Sequence, residues 1–440
     1  MSTIYIETLG CEKNTVDSET IIGILENAGH TFTVSPAEAD VIIVNTCAFI
    51  SDAKKESIDK LFDLTVFRQH GKCKRLIATG CIPQRYRNDL TVAFPEVDAF
   101  VGTNRLTDIL SAIDTGGFYA VDAPKQYEEY NAPRVHTGGK GSAFVRIADG
   151  CFSTCSFCAI PLIRGAYRSR TIENILAEAR AFAAIGVKEI NLIAQETTYY
   201  GQDIYGERSL ARLLGELNSI DGIRWIRVLY QNPALLDAKL RDAFFSFDRV
   251  LPYFDIPLQH VNNGILRDMR RGGSRDDFAA LIASLRTGNP ESVIRTSFIT
   301  GFPGETDEAY AELLDFVNEI KFDRMGIFVY SEEEGTDALS LDREKVPEET
   351  AKIRREELMT AQLSISDERL SRYKGQTLDV LVEKVDTKEI TGRSWHSAPE
   401  VDGYVYVTMK KDSPAAVSPG DMIRVTIDHN NEHDLYGTIA

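Results

Sequence analysis

The sequence predicts an α/β protein with an N-terminal parallel α/β domain, a central partial (β/α)6 barrel and a small antiparallel β-barrel at the C-terminus. Three observations predict it. Short apolar strands alternate with helical segments over residues 1–120. Six further strand candidates alternate with helical segments over residues 143–335, which is typical of a parallel barrel with its chemistry at the carboxyl ends of the strands. The tail alternates apolar and polar residues between Gly and Pro, without a following helix.

In the N-terminal domain, three segments rich in Ile and Val predict buried strands. These strands are residues 4–10, 40–47 and 75–81. A helix is expected after the first strand, with Asp17 or Ser18 as its N-cap and Gly29 at its end. The second predicted helix, 51–64, carries Lys54, Lys55 and Glu56 on a face that we expect to be solvated.

The domain boundaries follow from changes in composition. A stretch rich in Pro, Gly and polar residues, which includes EEYNAPR (128–134), predicts a linker. The expected segments are 1–120 for the N-terminal domain, 121–142 for the linker, 143–371 for the central domain with a charged helix near its end, and 372–440 for the barrel.

The composition is ordinary for a globular protein, with 43% hydrophobic and 26% charged residues in a chain of 440. That length accommodates several domains. No apolar run approaches the roughly 18 residues of a membrane-spanning helix, and the first residues show no secretion signal. We therefore expect a cytoplasmic protein without a membrane association, with a monomer as the default state.

The net charge of −17 disfavours a nucleic-acid binder that relies on a basic patch, because phosphate contacts need clustered Lys and Arg. An acidic surface suits a basic protein partner instead. The tail from Arg372 to Ala440 shows the same bias, with 8 Lys and Arg against 11 Asp and Glu, a net charge of −3.

The strongest chemical signal is the spacing Cys151-x3-Cys155-x2-Cys158, just after the first barrel strand. Three thiolates on one loop can bind three irons of a four-iron cluster and leave the fourth iron open for chemistry. The alternative is a zinc site. Zinc favours four ligands, often in C-x2-C pairs, and no second pair lies nearby.

A second group of cysteines, Cys11, Cys47 and Cys81, follows three apolar strands. The carboxyl ends of parallel strands share one edge of a sheet, so these thiols are expected to meet there and to bind a second cluster with one open iron. The alternative is three buried cysteines that act as small hydrophobic residues. Cys73 precedes a strand and is assigned no ligand role.

Several motifs together resemble the methylthiotransferase family of radical S-adenosylmethionine enzymes over nearly the whole chain. They are LGCEKNTVDSE (9–19), NTCAFI (45–50), ATGC (78–81), GCFSTCSFCAIP (150–161), DIPLQH (255–260) and TSFITGFPGET (296–306). The resemblance implies a radical S-adenosylmethionine domain in the centre and a C-terminal barrel of the TRAM type.

The resemblance also implies the activity, which is replacement of a carbon-bound hydrogen by a methylthio group. Such enzymes use two [4Fe–4S] clusters and S-adenosylmethionine, which supplies both the methyl group and the 5′-deoxyadenosyl radical. An electron donor such as a flavodoxin or ferredoxin is expected as a partner. The auxiliary cluster would lie on Cys11, Cys47 and Cys81, and the radical cluster on Cys151, Cys155 and Cys158.

Two branches of the family differ in substrate. LGCEKN (9–14), AQETTYYGQD (194–203) and GIFVYSEEEGT (326–336) are similar to the RimO branch, which modifies the β-carbon of an aspartate in the twelfth protein of the small ribosomal subunit. The alternative branch modifies an adenosine in tRNA. Glu196 and the segment 230–233 depart from the pattern of the RimO branch.

Five further residues are candidates for binding S-adenosylmethionine. They are Phe157, Gln195, Gln259, Arg295 and Gly304. Polar groups near barrel strand ends could orient the cofactor or a target carboxylate. The alternative is polar residues satisfied inside the barrel or, for Gly304, a plain turn. His260 is a possible ligand or base, or a structural histidine.

Two other functional classes fit the cysteines less well. An electron carrier usually saturates its cluster irons with four cysteines, whereas both groups here contain three. A zinc-binding interaction module fails on ligand spacing.

Overall fold

The structure is a computed structural model that describes residues 1–86, 90–121, 132–409 and 417–440. Residues 122–131 of the predicted linker, which include the start of EEYNAPR, lie outside the described residues. The chain forms two compact units. The first unit comprises residues 1–137, 148–170 and 331–339, and the second unit comprises residues 138–147, 171–330 and 340–440.

The first unit contains a parallel sheet, as predicted, and this sheet has six strands, three more than the apolar segments indicated. Its strands are β1 (Thr3–Thr8), β2 (Thr31–Phe32), β3 (Val41–Thr46), β4 (Arg75–Gly80), β5 (Ala99–Gly102) and β6 (Phe118–Ala120). Their order is β2-β1-β3-β4-β5-β6, so β3 lies between β1 and β4. Every residue of β3 is buried, because separate hydrophobic clusters pack on the two faces of the sheet.

The described part of the first unit also contains seven α-helices and a short antiparallel ribbon. They are α1 (Glu12–Asn27), α2 (Ser51–Thr65), α3 (Phe67–His70), α4 (Cys81–Tyr86), α5 (Leu90–Ala93), α6 (Ile109–Asp114), α7 (Ile160–Ile163), β8 (Ala148–Asp149) and β9 (Arg168–Ser169).

The start of α1 differs from the prediction. Cys11 is the N-cap, with extended backbone, and the helix begins at Glu12. The assignment of Asp17 or Ser18 as the cap is therefore wrong, because both lie buried within the helix and make tertiary contacts. The predicted role of Gly29 is confirmed. Its φ of +86° ends the helix, and its N–H donates to the carbonyl of Glu26 at 2.9 Å.

The end of the predicted linker is held against α1. Arg134 donates to Glu19 Oε2 at 2.8 Å, and the N–H of Thr137 donates to Glu19 Oε1 at 2.7 Å. Burial alone raises the pKa of Glu19, but His136 and Arg134 hold that pKa at about 2. Residues 132–137 thus pack against the N-terminal domain.

The second unit contains all six predicted barrel strands. They are β7 (Ser142–Arg146), β10 (Glu189–Ile193), β11 (Trp225–Val228), β12 (Tyr253–Asp255), β13 (Val293–Thr300) and β14 (Arg324–Val329). They form two parallel sheets, β7-β10-β11 and β12-β13-β14, and a parallel bridge from Ile226 to Val250 continues the first sheet beyond β11.

Helices follow these strands and cover the barrel. They are α8 (Ile172–Ala184), α9 (Gln202–Tyr205), α10 (Leu210–Asn218), α11 (Ala238–Ser246), α12 (Asn263–Asp268), α13 (Arg275–Gly288), α14 (Asp307–Ile320) and α15 (Glu348–Ser371). Side-chain oxygens of Thr171, Asp237, Asn262, Ser274 and Thr306 cap five of them. No helix in the described residues is long and apolar enough to span a membrane.

The C-terminal strands form a closed barrel, as predicted. They are β15 (Thr377–Val385), β16 (Glu389–Ser394), β17 (Val405–Thr408), β18 (Met422–Asn430) and β19 (Leu435–Ile439), in the order β15-β16-β17-β19-β18. Four neighbouring pairs are antiparallel, but β17 and β19 are parallel. An odd number of strands cannot alternate in direction around a closed ring, so one parallel pair is unavoidable.

A buried ionic group joins this barrel to the strands before it. Glu189 of β10 accepts from Arg227 of β11 at 2.9 Å and from Arg393 of β16 at 2.6 Å, and all three side chains are fully buried. Burial alone raises the pKa of Glu189, but the two guanidinium groups hold that pKa at about 2. Glu189 is therefore ionised and fully paired.

Candidate functional site

Cys11, Cys47 and Cys81, here called the auxiliary triad, lie at the carboxyl ends of three adjacent strands. Cys47 directly follows β3 and Cys81 directly follows β4, and the last residues of these strands, Thr46 and Gly80, are register partners. The sheet thus brings these cysteines to one edge, although they are far apart in sequence. All three thiols are free of disulfides.

Two glycines allow the close packing of the auxiliary triad. Gly10 has a φ of +96°, and a Cβ at this position would lie 2.8 Å from Cys47 Cβ and 3.0 Å from its Sγ. Gly80 has a φ of +93°, and a Cβ there would lie 2.7 Å from the carbonyl oxygen of Thr46. Glycine therefore precedes Cys11 and Cys81 because no side chain fits there.

Asn14 connects the strand ends that carry the auxiliary triad. Its fully buried amide nitrogen donates to the carbonyl oxygens of Leu9 at 2.7 Å and Thr46 at 3.1 Å. Its Oδ1 lies 3.9 Å from the thiol of Cys81. The sequence indicated Asn14 only as part of a family motif, whereas the structure shows that its side chain contacts the strand ends beside Cys81.

Arg164 introduces a positive charge beside the auxiliary triad. Its Nη2 lies 2.9 Å from Asp17 Oδ2 and donates to Asn14 Oδ1 at 2.9 Å, and its Nη1 lies 3.6 Å from Asp149. Burial alone lowers the pKa of Arg164, but Asp17 and Asp149 raise it well above its usual value. Sequence reasoning missed Arg164, whose only signal was a position six residues after Cys158.

The auxiliary triad has the chemistry of a soft-metal site. Burial raises the pKa of the Cys47 thiol, and it raises that of Cys81 to about 12. Such thiols release their protons only to a strong positive partner such as iron. Among the described residues, no group of three His, Cys, Asp or Glu is arranged to hold a single metal ion. A four-iron cluster needs a wider arrangement, because each thiolate binds a different iron.

Cys151, Cys155 and Cys158, here called the radical triad, lie on the loop between β8 and α7. They are half-buried, and none forms a disulfide. The N–H of Ser153 donates to Cys151 Sγ at 3.4 Å. Gly150 has a φ of +73°, and a Cβ there would overlap the carbonyl of Ala166. The loop therefore needs glycine immediately before its first cysteine.

The segment 331–339 contacts both the N-terminal domain and the cysteine loop. Glu333 is buried and accepts from Lys54 at 2.8 Å and Arg85 at 2.7 Å. The N–H of Ala338 donates to the carbonyl of Ser156 at 2.8 Å. Lys54 is therefore not a solvated residue as predicted, because its ammonium pairs with a carboxylate supplied from far along the chain.

The predicted cofactor residues fall in both units. Phe157 is half-buried between two cysteines of the radical triad. Gln195 follows β10, and its buried Oε1 has no hydrogen-bond partner in the described part of the chain. Gln259 follows β12 with a φ of +72°, a strained conformation of the kind found at ligand sites. The orphaned oxygen and the strained backbone both fit a bound polar ligand.

Two other predicted cofactor residues already have partners in the protein. Arg295 is the third residue of β13 and pairs with Asp255 at 2.9 Å. The N–H of Gly304 donates to the carbonyl of Glu344 at 2.8 Å in a turn where its φ is +86°. Any cofactor contact by these two residues remains a prediction.

His260 and Glu196 have structural surroundings. His260 is fully buried, its Nδ1 accepts from the N–H of Asn262 at 3.0 Å, and burial lowers its pKa to about 3. This supports the structural interpretation of His260. Glu196 accepts from the N–H of Tyr199 at 3.1 Å and from Asn232 at 3.3 Å, so it connects the loops after β10 and β11.

Three family models match the chain. The model described as uncharacterized protein family UPF0004 matches residues 3–102, that of the radical SAM superfamily matches 145–317, and that of the TRAM domain matches 375–440. The match to the TRAM model coincides with the closed barrel β15–β19.

Among solved structures, the fold is similar to that of the radical S-adenosylmethionine methyltransferase TsrM from Kitasatospora setae. The TM-score is 0.55 at 15% identity, over 74% of each chain. It is also similar to the cobalamin-dependent S-adenosylmethionine radical enzyme OxsB, with a TM-score of 0.53 at 12% identity over 82% of this chain and 56% of that one. At such identities the likeness concerns the fold alone.

Similar curated proteins bear the name ribosomal protein uS12 methylthiotransferase RimO. That of Thermotoga maritima is 42% identical over 99% of both chains. Those of Desulfitobacterium hafniense and Natranaerobius thermophilus are 41% and 43% identical, over 99% of this chain and 98% and 99% of theirs. Family members use S-adenosylmethionine and [4Fe–4S] clusters. With such identity over its full length, this chain belongs to the RimO family of radical S-adenosylmethionine methylthiotransferases.

Proposed function

We propose that this enzyme methylthiolates the β-carbon of an aspartate in the ribosomal protein uS12. The observation that carries the proposal is the pair of three-cysteine sites within one compact unit, in a chain whose relatives are named for this substrate. Three thiolates at each site leave one iron open, as a cluster that takes part in chemistry requires.

The six cysteines divide into two sites in this proposal. The radical triad would hold the cluster that binds S-adenosylmethionine, and the auxiliary triad would hold the second cluster. When bound, these groups supply a 5′-deoxyadenosyl radical that removes hydrogen from the target carbon and a methylthio group that replaces it. Gly10, Gly80 and Asn14 shape the auxiliary site, and Gly150 shapes the loop of the radical triad.

Binding of S-adenosylmethionine is assigned to the radical triad with Phe157, Gln195, Gln259, Arg295 and Gly304. Two of these have independent support. The unpartnered oxygen of Gln195 offers an acceptor for the amino group of the cofactor. The strained backbone of Gln259 lies at a barrel strand end, where such enzymes bind ligands.

The C-terminal barrel supports a basic protein substrate. Tyr406 and His429 both stack on Tyr436, with ring centroids 5.5 and 4.6 Å away. Glu389 and Asp434 lie close enough to contribute to the raised pKa of Tyr406, after burial. The tyrosine rings are half-buried and His429 is exposed, and partly accessible rings beside carboxylates suit Lys and Arg side chains.

An RNA substrate is the second candidate. The same stacked rings could bind bases, which is the observation in its favour. The net charge of −3 over the tail opposes it, because RNA binding depends on neutralising phosphates.

A ribosomal protein substrate implies that the enzyme works in the cytoplasm. We further propose that it acts as a monomer, because the six cysteines of one chain suffice for both clusters. Reduction of the clusters would need an electron donor such as a flavodoxin or ferredoxin.

A competition between substrates tests the proposal. Reconstituted enzyme with S-adenosylmethionine, sulfide and a reductant would receive equimolar uS12 and unmodified tRNA under anaerobic conditions. Mass spectrometry should find a methylthio group on an aspartate of uS12 and none on the tRNA. uS12 with that aspartate changed to asparagine serves as the control. Modification of the tRNA alone would refute the protein substrate.

A further inference from the structure

Arg164 contacts the surroundings of both cysteine triads. It lies just after α7, six residues beyond the last cysteine of the radical triad. Its partners Asn14 and Asp17 belong to α1, the helix that begins beside Cys11, and Asp149 lies two residues before Cys151. The Arg164 side chain therefore contacts residues next to both proposed cluster sites, and all of these residues belong to the first unit.

These partners leave one nitrogen of the Arg164 guanidinium without a hydrogen bond. Its side chain is 2% exposed, and Nη1 has no hydrogen-bond partner among the described residues. Cys81, Cys11 and Cys47 all lie near enough to interact with it electrostatically. A buried guanidinium normally satisfies all its donors, but Nη1 lies 3.6 Å from Asp149 without a hydrogen bond and therefore has a donor left for a further acceptor. The other terminal nitrogen, Nη2, donates to Asn14 Oδ1, which itself lies 3.9 Å from the thiol of Cys81, so the guanidinium is close to the auxiliary triad.

We propose that Arg164 is the positioning residue that holds a fixed positive charge, and a free N–H donor, against the cluster of the auxiliary triad. The inference rests on the proposed auxiliary cluster site. A nearby positive charge and N–H···S hydrogen bonds stabilise the reduced, more negative state of an iron–sulfur cluster. Arg164 thus raises the reduction potential of the auxiliary cluster.

Asp17 provides the opposite charge for a test of sign. Its carboxylate lies 2.9 Å from Arg164 and offsets part of the positive charge. Removal of the Arg164 charge should lower the potential, and removal of the Asp17 charge should raise it. If Arg164 and Asp17 had purely structural roles, replacing them would not shift the reduction potential in opposite directions.

The experiment uses full-length protein with Cys151, Cys155 and Cys158 replaced by Ala, so that only the auxiliary cluster is reconstituted. Potentiometric titration followed by electron paramagnetic resonance measures its potential. We expect Arg164→Met to shift the potential to more negative values, Arg164→Lys to shift it less, and Asp17→Asn to shift it to more positive values. Arg85→Met is the matched control, because Arg85 is another buried arginine near the same sheet edge whose carboxylate partner is Glu333.

The outcomes separate this inference from the proposed function. An unchanged potential in Arg164→Met, or an equal shift in Arg85→Met, overturns the role of Arg164 alone. Failure of the parent variant to bind any cluster contradicts the auxiliary site itself, and the inference falls with it. If Arg164→Met does not fold, the comparison of Arg164→Lys with Asp17→Asn still decides, because opposite shifts are required.

Discussion

The radical triad lies within one loop between Cys151 and Cys158, whereas the auxiliary triad collects cysteines from the ends of three strands. Local turns shape the loop, with Gly150 in a left-handed conformation before its first cysteine. The sheet order and the register of β1, β3 and β4 shape the auxiliary site. The first site is encoded locally, and the second exists only when the sheet has folded.

The two triads also differ in their surroundings. In the auxiliary triad Cys47 and Cys81 are buried and Cys11 is exposed, whereas all three cysteines of the radical triad are half-exposed. A site that must admit S-adenosylmethionine needs access at all its ligands, and a site that holds a reactive sulfur benefits from partial burial of its ligands. The difference therefore agrees with the roles that we propose for the two clusters.

The largest loss of stability is expected from replacement of Glu189, which should not affect either triad. Glu189→Gln leaves Arg227 buried without its counter-charge and leaves Arg393 with Glu383 as its remaining carboxylate partner, so it should lower the free energy of unfolding by about 3–5 kcal/mol. The iron content of both triads should stay unchanged in the folded protein. Chemical denaturation and iron analysis measure the two effects, and Glu207→Gln, at an exposed position in the same unit, is the control.

The pH dependence of this variant follows from the lowered pKa of Glu189. A carboxylate with a native pKa of about 2 contributes stability that is complete above its unfolded value near 4.3 and is lost as the pH falls towards 2. The stability of Glu189→Gln should therefore fall less than that of the wild type over this pH range. An acid unfolding curve parallel to that of the wild type would contradict the assignment.

A smaller but more selective effect is expected at Gly80. Gly80→Ala introduces a Cβ that lies 2.7 Å from the carbonyl oxygen of Thr46, at a φ of +93°. We expect a loss of roughly 2–4 kcal/mol and less iron in the auxiliary triad, with the radical triad unaffected. Gly29→Ala is the matched control, since its φ is +86° but no atom lies within 4 Å of the new Cβ. The control should lose only about 1 kcal/mol and no iron.

The Gly80→Ala variant also tests whether only the auxiliary triad depends on the sheet edge. Iron analysis would be repeated in variants that retain one triad, so that each site is measured alone. Equal iron loss from both sites in Gly80→Ala would show that the radical triad also depends on the sheet edge.

The smallest effect is expected at Glu333, whose segment contacts both regions. Glu333→Gln should lower the free energy of unfolding by about 1–3 kcal/mol, because Lys54 and Arg85 lose their charged partner. Hydrogen exchange at the amide of Ala338, which bonds to Ser156, should become faster. Glu334→Gln is the control at an exposed neighbour. Unchanged exchange in Glu333→Gln would show that Glu333 does not hold the segment in place.

The sequence predicted those features that depend on local patterns. Apolar strands, the cysteine spacing and the glycine after α1 each have a signal within a few residues. The meeting of Cys11, Cys47 and Cys81 at one edge was also predictable, because parallel strands align their carboxyl ends.

The features that were missed depend on contacts between distant segments. Nothing near Arg164 in the sequence indicates its pairing with Asp17, 147 positions earlier in the chain. The predicted solvated face of α2 is wrong at Lys54, because its partner Glu333 lies on a segment that follows β14. The start of α1 at Glu12 was missed, because Asp17 and Ser18 resemble caps but are buried by tertiary contacts.

The division of labour between the two triads is tested most directly by assaying two products in one reaction. Cys151→Ala and Cys47→Ala would be compared for 5′-deoxyadenosine and for methylthiolated uS12. Cys151→Ala should form neither product. Cys47→Ala should still form 5′-deoxyadenosine but no methylthiolated protein. Methylthio transfer by Cys47→Ala at the wild-type rate would contradict the auxiliary role of its triad.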